Sequence, residues 1–508
     1  MENVAEREQG TNRKSDLVSP GVKTRGAARR IVLLLACCGA AWAAAARADS
    51  FAGADWAVRF NRPDQTTTTS SIWPDEYVIR DAFLARIDAL GSNDWGCLAT
   101  YTFSGNSAAA GAAGPVLLAM SNALARGAKL AFVADNGVNV ASNYWPGISL
   151  TGLASRAGNK LELSRAPVDW GIMHHKVGVF WYRAATQAWV LSGSWNFTGG
   201  ASSYQWNVLV ELRNRELATA CSNEMRELLS GRFHANTNKS HAHDGARFRL
   251  ADMWTNGWVR FAPYPDKTYG GSNALADVVA AIDAATNEIV FALNKLTRPD
   301  VANALIRACD RGVTVHGAFT RSDLVATNPL SSYPIYSMLL EPTNYATANR
   351  AFLYDAYVSA KRLATDTGET DLVHAKYMVL DPYGAAPLAI HGSANWTEAA
   401  LVDDASNDEN VLFLPHAGIA QAFAAQFNAM TDGTVPWCRL ESGGEAATGR
   451  FVYWLPTTNR YEVLFTTNVL DAGTWTNRVQ NLPPGRGTNA VPTTNSSARG
   501  FYRIRTVP

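Results

Sequence analysis

One short motif occurs twice in this chain, with the two copies about 200 residues apart. In each copy a His-x-Lys is followed at nearly the same distance by Gly-Ser-x-Asn, and the residues concerned are His174, Lys176, Ser194 and Asn196 in the first copy and His374, Lys376, Ser393 and Asn395 in the second. A repeat of this kind indicates a duplicated fold unit. Two half-sites of the same composition predict one composite site.

These residue types suit the cleavage of a phosphodiester. One neutral imidazole can attack phosphorus near pH 7, and a second imidazole can protonate the departing alkoxide. The lysines and asparagines would hold the non-bridging oxygens, where negative charge grows in the transition state. We expect no metal and no other cofactor, because no His, Cys, Asp or Glu cluster with the spacing of metal ligands accompanies the motifs.

The motifs resemble the signature of the phospholipase D superfamily, H-x-K-x4-D together with G-S-x-N, over roughly residues 70–430. The second copy matches in full, since Asp381 stands where the family has its aspartate. In the first copy the same step from Lys176 reaches Trp181. Family members that lack this aspartate remain phosphodiesterases, so the resemblance implies that Asp381 supports a loop as readily as it takes part in the chemistry.

The resemblance also implies a supporting residue for each histidine, contributed by the opposite half. Glu409 fits the family's carboxylate and would orient His174, raising its basicity. In the first half Trp206 aligns with that carboxylate, and a one-residue bulge would put Gln205 there instead, as a neutral partner for His374. We therefore predict His174 as the nucleophile and His374 as the general acid.

Four residues near the motifs have other expected roles. His175 and His391 fall outside the His-x-Lys pattern and are predicted to be structural or to lie at the rim of the substrate site. Ser194 and Ser393 lack a G-x-S-x-G elbow, so we expect them to shape the backbone and to hydrogen-bond a phosphate.

The composition describes a globular chain of more than one domain. Its 508 residues are 47% hydrophobic and 18% charged, and the net charge is +1. A chain that holds long nucleic acids by counterion release would usually be strongly basic, so this balance favours another substrate without excluding a local basic cleft.

The N-terminal region predicts export from the cytoplasm. Basic residues precede an apolar run from Ile31 to Ala46, and Ala46-Arg47-Ala48 provides a small-x-small cleavage signal. We expect a secreted or periplasmic protein cut after Ala48. A membrane anchor is disfavoured because the run is shorter than the ~20 residues of a spanning helix. The alternative of a lipoprotein anchored at Cys37 would need a very short apolar stretch before the cysteine.

The cysteines of the mature chain do not indicate a metal site. They are Cys97, Cys221, Cys309 and Cys438. An oxidising compartment would permit disulfides, but Cys97 opens a predicted buried strand and Cys309 lies on a predicted helix, so buried free thiols are equally expected.

Helices and strands alternate in the same order in both halves. Apolar residues at helical spacing (Ile79, Phe83 and Ile87; Leu275, Val278 and Ile282) precede strands at Cys97–Phe103 and Glu288–Leu293. A second helix should end at Gly127 or Gly312, followed by strands at Ala128–Ala134 and Val313–Phe319. The residues after each motif lysine read as strands, which would hold the catalytic rings rigidly.

The sequence therefore predicts an α/β fold of two tandem phospholipase D-like sandwich domains that form one pseudo-twofold site, and a small C-terminal all-β module. The expected ranges are 1–48 for the tail and signal, 49–235 and 236–440 for the two domains, and 450–508 for the module, after a linker at 441–449.

The expected function is a secreted, monomeric phosphodiesterase acting on a phospholipid headgroup through a phosphohistidine, at a membrane surface but without a spanning helix. A secreted nuclease of the same superfamily is the first alternative. A phosphate-binding protein with a degenerate first half-site is the second, motivated by Trp181 and Trp206. The sequence leaves open whether water or an alcohol accepts the phosphoryl group.

Overall fold

The structure is a computed structural model, and it describes residues 50–61, 77–105, 111–144, 146–203, 205–234, 238–340, 352–355, 372–403, 405–430, 439–442, 450–454, 460–466, 476–482, 489–493 and 501–507. The predicted secretory signal, its cleavage site and Cys37 lie outside these residues, as does Cys438. Within the described part of the chain, no helix combines the length and the apolar character that a bilayer crossing requires.

The first half is built on an eight-stranded sheet with the strand order β1-β2-β10-β8-β7-β3-β4-β5. Its strands are β1 (Ser50–Ala52), β2 (Trp56–Phe60), β3 (Trp95–Thr100), β4 (Lys129–Ala134), β5 (Leu161–Arg165), β7 (Lys176–Tyr182), β8 (Gln187–Gly193) and β10 (Val208–Arg213), and two short strands, β6 (Ile172–Met173) and β9 (Gln205–Trp206), lie outside it. Its helices are α1 (Val78–Asp88), α2 (Ala113–Ala125), α3 (Leu150–Ala157), α4 (Gly199–Ser203) and α5 (Arg215–Leu229), with a 3₁₀ turn at Gly158–Lys160.

The second half repeats this sheet, in the order β11-β12-β19-β18-β17-β13-β14-β15. Its strands are β11 (Arg247–Phe248), β12 (Gly257–Ala262), β13 (Glu288–Leu293), β14 (Thr314–Phe319), β15 (Phe352–Asp355), β16 (Leu372–Val373), β17 (Lys376–Leu380), β18 (Leu388–Gly392) and β19 (Asn407–Leu414). Its helices are α6 (Ala274–Ala284), α7 (Pro299–Asp310), α8 (Tyr333–Leu340), α9 (Glu398–Leu401) and α10 (Ala417–Met430), with a 3₁₀ turn at Arg321–Asp323.

Both sheets bring the motif lysine to the same edge. In each half the central strands run parallel, and the strand that begins at the lysine pairs antiparallel with the first of them, so that Lys176 lies opposite Thr100 and Lys376 opposite Leu293. The carboxyl ends of β3, β4 and β5, and of β13, β14 and β15, therefore lie beside the lysines. We call this the site edge. The matching order of the two sheets confirms the predicted duplicated α/β unit.

Local sequence explains several of the element ends. Gly127 and Gly312 follow α2 and α7 with φ of +93° and +87°, the left-handed conformation that ends a helix at glycine, as predicted. Asn214 and Asn273 cap α5 and α6, since each side chain accepts a hydrogen bond from a backbone N–H of the first turn. The predicted strand at 97–103 starts two residues earlier and ends at Thr100, whose hydroxyl donates to the carbonyl of Thr102 as the chain leaves the sheet.

The structure has three apolar clusters, one within each half and one shared by the two halves. One lies between α1, α2 and the first sheet, and a second lies between α6, α7 and the second sheet. The third is shared by both sheets and by α5 and α10, and its members include Val177, Val379 and Phe423. Cys97, Cys221 and Cys309 are buried free thiols.

The C-terminal strands form two antiparallel three-stranded sheets, β20-β21-β24 and β23-β22-β25. They are β20 (Arg439–Ser442), β21 (Arg450–Trp454), β22 (Arg460–Thr466), β23 (Thr476–Leu482), β24 (Asn489–Thr493) and β25 (Phe501–Val507). The linker predicted at 441–449 is wrong at its start, because residues 441 and 442 belong to β20 and pair with β21.

Candidate active site

Each motif histidine is held by a strand of the opposite half. Before His174, β6 pairs with β19, and the backbone N–H of His174 donates to the carbonyl of Asp408 at 3.0 Å. Before His374, β16 pairs with β9, and the N–H of His374 donates to the carbonyl of Trp206 at 3.1 Å. This reciprocal pairing brings the two half-sites into one composite site.

The imidazole of His174 is oriented by a carboxylate from the second half. Its Nδ1 lies 2.7 Å from Oε1 of Glu409, which is fully buried. The other carboxylate oxygen of Glu409 accepts from the Ser393 hydroxyl at 2.6 Å. The predicted contact between Glu409 and His174 is thus present, and it leaves Nε2 of the histidine as the atom available to a substrate.

The imidazole of His374 is oriented by Asn207, and the prediction of Gln205 in this place is wrong. Nδ1 of His374 lies 2.8 Å from Oδ1 of Asn207, whereas Gln205, two residues earlier in the chain, accepts from the amide of Asn207 at 3.4 Å. Asn207 Nδ2 donates to the carbonyl of Ala201, so Oδ1 is the acceptor that faces the ring. The neutral character of the partner, which was predicted, is retained.

The strand register explains this error. The N–H of Ser194 donates to the carbonyl of Val208, and the N–H of Ser393 donates to the carbonyl of Asn410. Asn207 therefore occupies the place of Glu409. The sequence prediction had aligned Asn207-Val208-Leu209 with Asn410-Val411-Leu412, which is one residue away from the register of the structure and sets Trp206 opposite Glu409. In the structure Trp206 is the residue before Asn207, and its indole N–H is buried without a partner among the described residues.

Burial keeps the imidazoles of His174 and His374 uncharged near pH 7. Desolvation lowers the pKa of His174 to about 4, although the charge of Glu409 opposes the shift. Burial also lowers the pKa of His374 well below 6.5, and the charges of Lys376 and Lys176 add to that effect. Because lysines of both halves act on one ring, the four motif side chains form a single electrostatic unit.

The two lysines occupy equivalent places and are almost fully buried. Nζ of Lys176 donates to the carbonyl of His174 at 2.8 Å, and Nζ of Lys376 donates to the carbonyl of His374 at 2.7 Å. Burial lowers the pKa of Lys176 to about 7, and that of Lys376 well below its ordinary value. A bound anion would supply the missing counter-charge, which suits these lysines to hold a phosphate.

The side-chain oxygens of the two motif asparagines differ in their hydrogen bonding. Oδ1 of Asn395 accepts from Nδ2 of Asn294 at 3.3 Å, whereas Oδ1 of Asn196 is buried without a partner in the described structure. Tyr101 stands at the position equivalent to Asn294, one residue beyond the strand, and its ring lies 4.8 Å from the ring of His174. The sequence analysis did not single out either residue. Asn294 directly follows the predicted strand Glu288–Leu293, whereas Tyr101 lies inside the predicted strand Cys97–Phe103, which ends at Thr100 in the structure.

Asp381 follows the end of β17 that lies away from the site edge, so the prediction that it takes part in the chemistry is wrong. It stands five residues beyond Lys376, roughly 16 Å along extended backbone. Its carboxylate accepts hydrogen bonds from Thr286, Asn287 and Glu288, which form the entry to β13. The loop-supporting role that was considered for Asp381 fits these contacts.

The first half braces its equivalent loop without that aspartate. Trp181 pairs with Trp95 across the sheet and donates from its indole to the Ser222 hydroxyl at 3.0 Å. Asp94, directly before β3, accepts from the backbone N–H groups of Gly91 and Arg183 at 2.9 and 2.7 Å. In the second half the carboxylate that ties the two strand ends together follows β17, whereas in the first half it precedes β3.

The hydroxyls of Ser194 and Ser393 are fully buried and donate inward, to Asn207 and Glu409 respectively. They position the residues behind the histidines, so the prediction that they bind a phosphate directly is wrong.

The structural role predicted for His175 and His391 fits their surroundings. His175 is buried between Glu224 and Asn410, and Nε2 of His391 donates to the carbonyl of Ser192.

A buried ion cluster lies behind the first half-site. Nζ of Lys239 contacts Oε1 of Glu224 at 2.7 Å and Oδ1 of Asp408 at 2.5 Å, and His243 also contacts Glu224. Because Asp408 precedes Glu409 on β19 and receives the His174 backbone, the cluster fixes the strand that supports the nucleophile candidate. No group of three or more potential metal-ligating side chains occurs in the part of the chain that the structure describes.

The sequence of this chain matches the model of one known protein family. The sequence model of the family described as "Cardiolipin synthase, PLD-like domain" matches residues 97–229 and 278–431, more than half of the chain. Among curated protein sequences no match was found.

Several solved structures are similar at low identity. A polyphosphate kinase from Porphyromonas gingivalis is 12% identical with a TM-score of 0.46, over 73% of this chain and 51% of the other, so this chain spans about half the length of that kinase. A phosphatidylserine synthase from Haemophilus influenzae Rd KW20 is 11% identical with a TM-score of 0.46, over 70% and 84%. A mutant of yeast tyrosyl-DNA phosphodiesterase is 12% identical with a TM-score of 0.41, over 72% and 90%.

Proposed function

Because this chain belongs to the phospholipase D superfamily, through the family described as cardiolipin synthase, PLD-like domain, we propose that it is a secreted phosphodiesterase that cleaves a phospholipid headgroup through a phosphohistidine. The observation that carries the mechanism is the contact of 2.7 Å between His174 Nδ1 and Glu409, made across the two halves. It selects Nε2 of one histidine for attack.

In the first step, Nε2 of His174 attacks phosphorus while the bond to the leaving oxygen breaks. His374, protonated at Nε2, gives its proton to that oxygen, so the leaving group departs as an alcohol. Lys176, Lys376 and the motif asparagines hold the non-bridging oxygens. The products of this step are the free alcohol and a phosphoryl group covalently bound to His174.

In the second step, the now neutral His374 takes a proton from water, and the resulting hydroxide attacks phosphorus and displaces Nε2 of His174. An alcohol in place of water would give transfer, as in the synthases of the superfamily. Both outcomes use the same residues.

The unequal partners support the assignment of roles. Once phosphorylated at Nε2, His174 carries a positive charge, and the carboxylate of Glu409 stabilises it. His374 faces the neutral amide of Asn207 and two lysines, which destabilise its protonated form. An imidazolium of low pKa is a strong acid and releases its proton readily to the leaving group.

Lipid is the proposed substrate for two reasons drawn from the chain. Its net charge of +1 gives little attraction for a long polyanion, and the predicted export signal directs it to a compartment bounded by membranes. A nuclease with the same residues is the alternative, and a binding protein with a degenerate first half-site is the second.

One experiment separates these functions. The purified protein is incubated with and without EDTA, in parallel, with phosphatidylcholine vesicles, cardiolipin vesicles and plasmid DNA, and the His174→Ala variant is the control. Release of headgroup or phosphatidate that the control lacks supports the proposal. Cleavage of DNA alone points to the nuclease, absence of all turnover to the binding protein, and loss of turnover in EDTA contradicts the two-histidine mechanism.

A further inference from the structure

Large hydrophobic side chains are exposed on two loops of the protein. Among the described residues, Val168 and Trp170 are 89% and 100% exposed on the loop between β5 and β6. Val325 and Leu330 are 41% and 73% exposed on the loop between β14 and α8. Single apolar residues are ordinary on a surface, so the position of these four relative to the site decides what they could do.

Both loops begin at the site edge. β5 ends at Arg165, which pairs with Ala134 at the carboxyl end of β4, and Trp170 stands four residues before His174. β14 ends at Phe319, which pairs with Leu293, and Leu293 pairs in turn with Lys376. One loop from each half therefore starts at the site edge, and the loop that carries Trp170 leads directly to His174.

The charge of these loops favours a weakly charged partner. Residues 166–171 contain one ionisable side chain, Asp169, and residues 320–332 contain Arg321 and Asp323. Asp323 is engaged by Ser332, through both the backbone N–H and the hydroxyl of that serine. A surface that binds a polyanion needs an excess of cations, and these loops have none.

We propose that Val168, Trp170, Val325 and Leu330, here called the apolar rim, insert into the interfacial region of a phospholipid bilayer and hold the site against its headgroups. Tryptophan combines a large apolar ring with one N–H donor and prefers this depth, and valine and leucine reach the acyl boundary. Insertion from both halves would place the histidines directly over the headgroup layer. This inference rests on the proposed lipid function and adds to it the surface by which the enzyme meets its substrate.

The test compares one substrate in two physical forms. Trp170→Ser and Leu330→Ser, singly and together, are assayed on long-chain phosphatidylcholine in vesicles and on short-chain phosphatidylcholine below its micelle concentration, and vesicle binding is measured by co-flotation. We expect the ratio of vesicle turnover to monomer turnover to fall at least about tenfold in the double variant, because each buried side chain contributes a sizeable part of the binding free energy. Vesicle binding should fall in parallel.

Trp254→Ser is the matched control. Trp254 is half exposed, and its indole donates to the carbonyl of Pro387, directly before β18 and at the end of the sheet away from the site edge. In Trp254→Ser the ratio of vesicle turnover to monomer turnover should stay at the wild-type value. A thermal melt of every variant checks that the fold is retained.

Three results would overturn the apolar rim. The first is an unchanged ratio and unchanged vesicle binding in the double variant. The second is an equal loss in both physical forms, which would make these residues part of the headgroup pocket. The third is a selective loss of turnover on single-stranded DNA, which would make Trp170 a stacking platform for bases. If the wild-type protein binds vesicles through the rim and yet cleaves neither form of lipid, the proposed function fails while the surface stands.

Discussion

Glu409 and Asn207 occupy equivalent places, and the difference between them decides the roles of the two histidines. The carboxylate of Glu409 stabilises positive charge on His174, and burial together with the contacts to His174 and Ser393 holds it in one position. Burial raises the pKa of Glu409, but the interaction with His174, the charge of Lys176 and the hydrogen bond from Ser393 together lower it below its ordinary value, which favours the carboxylate form. Charge at this position is therefore part of the attack step.

Glu409→Gln should slow attack by about 10- to 100-fold, because it replaces a charge-assisted hydrogen bond worth roughly 1.5–3 kcal/mol with a neutral one at nearly equal volume. The measurement is kcat/KM on a soluble phosphodiester. Glu162→Gln, which removes an exposed carboxylate from β5, serves as the control. Unchanged turnover in Glu409→Gln would show that the carboxylate of the opposite half does not assist His174.

The pH profile should have its optimum on the acid side of pH 6.5. Attack needs neutral His174, which predominates above its pKa of about 4, and protonation of the leaving group needs charged His374, whose pKa lies well below 6.5. Asn207→Asp places a negative charge beside His374, which favours the protonated ring and raises its pKa. The alkaline limb of kcat/KM should therefore move to higher pH in this variant. A limb that stays in place would show that another group supplies the proton.

The sequence alone predicted that the histidines, the lysines and the motif asparagines come together, since each stands at a nearly fixed step within a repeated motif. The contact of Glu409 with His174 was predicted from the resemblance to the family. It failed at Asn207. The two halves differ in length between Gly-Ser-x-Asn and the following strand, so only the hydrogen-bond register of Ser194 with Val208 identifies the equivalent position.

At the level of elements, helices with a clear apolar face and the strands of each central sheet were predictable from periodicity and from the glycines that end α2 and α7. The two-residue strands were not. β6 and β16 pair with β19 and β9 of the opposite half, and no local pattern records a partner so distant along the chain. These short pairings nevertheless place both histidines.

Replacement of Trp181 by the family's aspartate tests how the first half is braced. We expect Trp181→Asp to leave kcat/KM near the wild-type value, because Asp94 already ties the two strand ends and the position lies far from the site edge. Stability should fall by about 1–3 kcal/mol, since an indole that packs on the core and donates to Ser222 is lost. Urea denaturation and kinetics are both measured. A large gain in turnover would mean that the natural first half-site is impaired.

At the level of the whole molecule, the halves are joined by buried charge as well as by exchanged strands. Lys239 → Met would leave the carboxylates of Glu224 and Asp408 buried without their shared cation, and the expected loss in the free energy of unfolding is about 3–5 kcal/mol. Lys129→Met, at an exposed lysine, should change it by less than about 0.5 kcal/mol. Equal effects in the two variants would show that the cluster does not hold the halves together.

The central claim is a covalent intermediate on His174, and trapping it is the most direct test. In His374→Ala, a substrate with a good leaving group bypasses the missing acid and phosphorylates His174, while the loss of the base slows hydrolysis by roughly 10²- to 10⁴-fold. Rapid quenching at alkaline pH, followed by peptide mass spectrometry, should find the adduct on His174 of this variant and none in His174→Ala. An adduct on His374 in His174→Ala, with none on His174 in His374→Ala, would contradict the account and exchange the two roles.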